Sequence, residues 1–211
     1  MYLVHETHNA APYLNRLINI DSRIHMSDKS TSTPDELEIL IKECIARSRS
    51  AQKKLYERYS PEAYGIIKRL IYNNDALADE ILNEAFFKVF RDLEKYSFQG
   101  AFEGWIRRIV VNTASDHLRK YIRDEPHREV VAEDAYIYNE SVENLSHKEI
   151  LKIIATLPDV QRNVFNLFVF EDCSHKEIAE LLNINQNNCR WYLNDARRRL
   201  KEKINAQLTI K

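Results

Sequence analysis

The sequence predicts an all-α protein of two small helical domains joined by an acidic linker, and three observations lead there. Only 3 glycines and 5 prolines punctuate 211 residues, while Leu, Ile, Ala, Glu, Lys and Arg are plentiful, which favours long helices over turn-rich sheets. Apolar residues recur at one-face helical spacing in several separate stretches. Between two basic stretches lies a segment, residues 124–149, with eight acids against two bases and no sustained apolar stripe; its like charges repel and keep it extended.

The stretch 1–32 is polar and weakly periodic, ending in Ser27-Asp28-Lys29-Ser30-Thr31-Ser32, and is expected to be a flexible tail. Residues 1–25 are expected to be dispensable, with Met26 a second candidate start. The first helix start is Thr33-Pro34-Asp35-Glu36, where threonine caps, proline suits the first helical position and Glu36 closes a capping box. Leu37, Leu40, Ile41, Cys44 and Ile45 follow on one face. Further helices are expected from about Ala51 to Tyr59, Pro61 to Tyr72 and Asp75 to Tyr96, with Ser60-Pro61 and Asn73-Asn74-Asp75 as breaks. A loop, Ser97 to Ala101, leads into a helix running through Trp105 to Arg123; Gly100 and Gly104 supply backbone freedom around it. The first domain therefore spans 33–123 and the linker 124–146. Helices around His147 to Thr156 and Pro158 to Glu171, followed by a closely spaced pair, make a second domain over 147–207.

That pair begins with the capping box Ser174-His175-Lys176-Glu177 and the apolar Ile178, Ala179, Leu181 and Leu182. The break Asn183-Ile184-Asn185 leads into a basic helix, which is helix-turn-helix organisation: Asn183 suits a left-handed turn and Asn185 a cap. Cys189, Leu193, Ala196, Leu200 and Ile204 form its inner stripe, leaving Gln186, Asn187, Asn188, Arg190, Trp191, Asn194 and Arg197 toward solvent. Such side chains read base edges and phosphates in a major groove. The helix from Trp105 to Arg123 carries five bases against one acid. Ile106, Ile109, Val110, Thr113 and Leu118 are its apolar side, and Arg108, Asn112, Ser115, Arg119 and Arg123 a polar stripe facing away. Tyr96, Phe98 and Phe102 lie beside these bases, where aromatic rings suit stacking on unpaired bases, although Phe102 and Trp105 read better as core.

Other functions find little footing. Cys44, Cys173 and Cys189 are widely separated and form no Cys-x-x-Cys unit, so neither a disulfide framework nor a zinc site is suggested. His117, His127, His147 and His175 lie in unrelated contexts without a nucleophile motif or phosphate loop, so no catalytic residue, metal or cofactor is expected. No apolar run approaches the length of a membrane span and the first 25 residues lack a signal-peptide core; a cytoplasmic protein without membrane insertion is expected.

The run Phe102-Glu103-Gly104-Trp105-Ile106-Arg107-Arg108-Ile109-Val110-Val111-Asn112-Thr113-Ala114-Ser115-Asp116-His117-Leu118-Arg119 resembles the promoter-melting segment of extracytoplasmic-function sigma factors of the sigma-70 family. Asp79 to Phe90 is similar to that family's polymerase-binding helix. Leu157-Pro158, Val164-Phe165, Ser174, Glu177-Ile178-Ala179 and Ala196-Arg197 match its carboxy-terminal domain, and the likeness spans about Leu37 to Lys203. Asn83 stands where the family usually has Gln, Phe90 where it has Trp, and Asn183 where it has Gly. Asn187-Asn188-Cys189-Arg190-Trp191 replaces a frequent Gly-Thr-Val-Lys-Ser, so promoter preference does not carry over.

The resemblance implies a sigma factor that binds core RNA polymerase, docks its helix-turn-helix on the minus-35 element and opens promoter DNA at minus-10. The implied minus-35 residues are those of the outer face from Gln186 to Arg197, and the implied minus-10 residues are Phe98, Arg108, Asn112, Ser115, Arg119 and Arg123. Glu80, Asn83, Glu84, Phe87 and Arg91 make one stripe suited to a charged polymerase surface. The acidic linker resembles the family's connector and suits either a channel built for RNA or a plain spacer. An anti-sigma factor is a further candidate partner. An ordinary helix-turn-helix regulator, the main alternative, accounts for Ser174 to Lys203 but not for the loop and basic helix from Tyr96 to Arg123.

Overall fold

A computed structural model describes residues 34–122 and 147–209, and every regular element among them is helical. The tail 1–32, the Thr33 cap, Arg123 and the linker 124–146 lie outside the described residues. The helices fall into two compact units. The first comprises α1 (Pro34–Ile45), α2 (Arg49–Leu70), α3 (Asp75–Asp92), a 3-10 turn (Leu93–Lys95) and α4 (Phe102–Ile122). The second comprises α5 (His147–Ala155), α6 (Asp159–Val169), α7 (His175–Leu182) and α8 (Gln186–Thr209).

The two helices expected either side of Ser60-Pro61 are one, a correction with a clear cause. Ala51, Leu55, Tyr59, Ala63, Ile66, Ile67 and Leu70 form a single buried stripe that crosses Pro61 without changing face, and it packs on both α3 and α4. Pro61 points to solvent, and a proline inside a helix, which removes one hydrogen bond and crowds the preceding turn, costs about 3 kcal/mol, whereas each fully buried aliphatic contributes about 1.5–3 kcal/mol. Ser48 caps the start, its hydroxyl accepting from the Ala51 amide at 3.4 Å. At the start of α3, Asn74 accepts from the Leu77 amide at 3.0 Å.

Helix α4 lies against both long helices. Tyr59 meets Glu103 and Glu62 meets Arg107, so α2 and α4 run parallel; Glu84 meets His117 and Lys88 meets Thr113, so α3 and α4 run antiparallel. Phe102, Ile106, Val110, Val111, Ala114 and Leu118 are its buried apolar residues.

In the second unit α8 carries the core. Cys189, Leu193, Ala196, Leu200 and Ile204 are buried as the periodicity predicts, joined by Tyr192, and α5, α6 and α7 all pack on this helix. The Ser174 capping box forms in full: Glu177 N–H donates to Ser174 Oγ at 3.2 Å and Ser174 N–H to Glu177 Oε2 at 2.7 Å. Asn183 takes the left-handed conformation (φ 53°, ψ 47°), which turns the chain so that Ile184 tucks into the core. Asn185 then caps α8, its Oδ1 accepting from the Asn187 amide at 2.7 Å.

These local devices predict measurable stabilities. Ser174→Ala should destabilise the carboxy-terminal unit by about 1 kcal/mol, and Pro61→Ala should stabilise the amino-terminal unit by about 1–3 kcal/mol. Denaturant unfolding followed by circular dichroism checks both; a destabilised Pro61→Ala would show that the proline is needed for the path of α2.

Candidate nucleic-acid interface

The loop before α4 is shaped by its own residues. Tyr96 O–H donates to the Gly100 carbonyl at 2.8 Å, and Gly100 adopts φ 86°, a region open chiefly to glycine. Within this closed loop Phe98 sits at φ 57°, left-handed for a residue with a bulky side chain, a conformation that costs about 1–2 kcal/mol. Its ring lies 5.1 Å from Tyr96 yet remains 45 % exposed. Tyr96 and Phe102, in contrast, are 9 % and 1 % exposed, and Phe102 stacks on the half-buried Trp105 at 5.6 Å. Phe102 is core as expected, Tyr96 is buried with it instead of being free to stack, and Phe98 is the ring held out beside Tyr96.

Along α4, Arg108, Asn112 and Arg119 are exposed as expected, with Arg119 paired to Asp116. Ser115 is corrected: it is 1 % exposed and its hydroxyl has no hydrogen-bond partner. It sits at the border of the stripe, four residues after buried Val111 and three before buried Leu118, and its short side chain falls below the surface. Arg123 lies outside the described residues.

On α8, Gln186, Asn187 and Arg190 are exposed, and Asn188, Trp191, Asn194 and Arg197 are half-buried. Arg190 Nη1 donates to Asn187 Oδ1 at 3.4 Å, which sets the two heads side by side. Arg197 leans over the Phe168 ring at 5.4 Å, so this charge is anchored by packing. His175 stacks on the same ring at 5.0 Å, and its imidazole pKa is lowered, first by burial and then by Arg190 and Arg197. Cys189, under the amino end of the helix, is pushed up to about 12 by burial, partly countered by Arg190, so it stays a thiol.

The stripe on α3 divides. Glu80, Asn83, Phe87 and Arg91 are exposed, Phe87 at 67 %. Glu84 turns toward α4, where His117 Nε2 lies 2.8 Å from one oxygen and Lys88 Nζ 2.8 Å from the other; hydrogen bonds from His117 and Lys88 hold its pKa below the ordinary carboxylate value. Lys88 also donates to Thr113 Oγ1 at 3.2 Å. Single-helix periodicity assigns Glu84 outward, and only its pairing with α4 shows otherwise.

Sequence reasoning also missed Asp195. It lies 7 % exposed on α8, where Gln161 donates at 3.2 Å, Arg198 at 2.5 Å and Arg199 at 2.7 Å. Burial raises its pKa, but Arg199, Arg198 and Gln161 outweigh that and leave it lowered. An acid three and four residues before two arginines was the available signal. Among the described residues no group of three or more His, Cys, Asp or Glu is placed to hold a metal, and no helix is long and apolar enough to cross a membrane.

Comparison with known proteins adds two family models, sigma-70 region 2 over residues 55–123 and sigma-70 region 4 over residues 147–200. The chain is 27 % identical to the ECF RNA polymerase sigma-E factor of Haemophilus influenzae, covering 76 % of this chain and 93 % of the relative. It is 28 % identical to the RNA polymerase sigma-H factor of Pseudomonas aeruginosa, covering 65 % and 80 %. A solved complex of the sigma factor RpoE with the anti-sigma factor NepR from Bartonella quintana matches at TM-score 0.44 and 18 % identity, covering 71 % of this chain and 94 % of that one.

The Asp195 cluster predicts a pH dependence. A carboxylate whose pKa is lowered by folding contributes stability above its unfolded value of about 4 and loses it as pH falls through the folded value. Asp195→Asn should therefore lower the unfolding midpoint of the carboxy-terminal unit at pH 7, with the gap to the parent chain narrowing below about pH 4. A gap that stays constant down to pH 3 would contradict the ion-pair account.

Proposed function

Because the chain belongs to the extracytoplasmic-function group of the sigma-70 family, we propose that it binds core RNA polymerase, recognises a minus-35 element through α8 and opens the minus-10 element with α4 and the loop before it. The observation that carries the melting role is Phe98: a ring held outward at a strained φ, on a loop closed by Tyr96, at the amino end of a helix whose outer face bears Arg108, Asn112 and Arg119. A ring presented this way stacks on a base that has left the duplex, while the arginines hold phosphates. Duplex reading falls to α8, whose exposed amino-terminal residues Gln186, Asn187 and Arg190 reach base edges first, supported by Asn188, Trp191, Asn194 and Arg197.

Polymerase binding is assigned to Glu80, Asn83, Phe87 and Arg91, with Glu84 acting inward to fix α3 on α4. An exposed phenyl ring flanked by charged and amide groups suits a protein surface with an apolar pocket and a charged rim. An anti-sigma factor is the regulatory partner that membership brings. The protein is read as an initiation subunit without enzymatic chemistry of its own, residing in the cytoplasm.

Two tests follow. Replacing Glu80, Asn83 and Phe87 together with alanine should weaken polymerase binding while leaving the helical circular dichroism unchanged, since exposed helix positions cost under about 0.5 kcal/mol each; unchanged affinity would remove the assignment. Permanganate footprinting separates reading from opening. Asn187→Ala or Arg190→Ala should cost about 1–3 kcal/mol in minus-35 binding yet leave a pre-melted template usable. Phe98→Ala, Asn112→Ala or Arg119→Ala should spare minus-35 duplex binding and reduce capture of the unpaired strand. Defects confined to duplex binding in this second set would sink the melting role of α4.

A further inference from the structure

The outer face of α8 holds one residue that its chemistry as an amide-and-arginine surface does not explain. At about 100° per residue, Trp191 lies roughly 200° round the helix from Cys189, on the side opposite Leu193, Ala196 and Leu200. The indole rests edge-on against Tyr192, centroids 5.1 Å apart at 66°, and is only half-buried. Asn187 is four residues before it and Asn194 three after, so a large apolar plate stands beside two amides on the outward face, at its border with buried Asp195.

We propose that Trp191 is a specificity residue that contacts thymine C5-methyl groups in the minus-35 major groove; this rests on the reading of α8 as the duplex-reading helix. The chemistry selects the group. Base edges in a major groove offer hydrogen-bond donors and acceptors, and the thymine methyl is the one apolar group among them. An indole facing the groove gains by covering that methyl and loses against a bare polar edge, where its displaced water is not replaced. The flanking amides fit the same pairs, because asparagine matches the N6 and N7 of adenine, which stands opposite thymine. The site therefore favours A·T pairs at the position beneath Trp191, with the methyl rather than a hydrogen bond as the feature recognised.

The test replaces thymidine by deoxyuridine, which removes the C5-methyl and leaves the pairing edge intact. Holoenzyme containing the full chain selects duplexes from a library randomised across the minus-35 region, and the selected duplex is resynthesised with deoxyuridine at each thymidine in turn. Removal of one methyl should weaken binding roughly fourfold at one or two positions. Trp191→Ala should bind the parent duplex more weakly and become insensitive to the exchange, while Trp191→Phe should keep part of the sensitivity. Equal binding of thymidine and deoxyuridine duplexes by the parent holoenzyme would overturn the proposal. So would an exchange effect that persists unchanged in Trp191→Ala, which would place the methyl contact elsewhere. Failure to enrich any sequence would overturn the minus-35 reading itself, and the proposal with it.

Discussion

Everything the amino-terminal unit presents depends on α4 being clamped between two helices at once. Its buried residues face α2 through Ile106 and Val110 and reach the polar contacts with α3 through Thr113 and His117. Small side chains such as Ala114, Ala85 and Ala78, all 0 % exposed, bring the backbones together. The outer face left over carries the exposed Arg108, Asn112 and Arg119. The Glu84, His117 and Lys88 contacts act at the same junction. They tie the helix proposed to bind polymerase to the helix proposed to capture the unpaired strand.

The carboxy-terminal unit solves a related problem with one long helix. Helix α8 anchors the domain and, in the role proposed for it, also reads duplex, and its circumference is divided between the two. Cys189, Leu193, Ala196 and Leu200 face the core, and Asp195 collects Gln161, Arg198 and Arg199 at the boundary. Arg197 and His175 brace the helix against Phe168. Arg198 and Arg199 are committed to Asp195, and exposed Arg190 and the amides near the amino end are the residues proposed to read duplex.

Much of this was legible from local rules. The capping box at Ser174, the left-handed Asn183, the Asn185 cap and the inner stripe of α8 are all set by neighbours within a turn or two, and the chain spells them out. What could not be read depends on contacts between helices. Pro61 looked like a break because local propensity knows nothing of the stripe that crosses it. Ser115 looked exposed because a helical wheel cannot place a border residue, and it cannot supply Glu84 with a partner such as His117. Tyr96 looked like a stacking platform because aromatic composition does not say which ring is the support and which is supported, whereas Phe102 was legible as core.

The two units are proposed to act as one polymerase-dependent initiation factor. Run-off transcription tests it most directly: purified core RNA polymerase, the full chain and a linear duplex carrying a start site mapped after overproduction. A discrete transcript is expected that requires both core enzyme and this chain, and that is lost with Phe98→Ala on duplex template but recovered when the minus-10 bubble is pre-opened. Transcription by core enzyme that is indifferent to the chain, with the chain still binding duplex on its own, would contradict it.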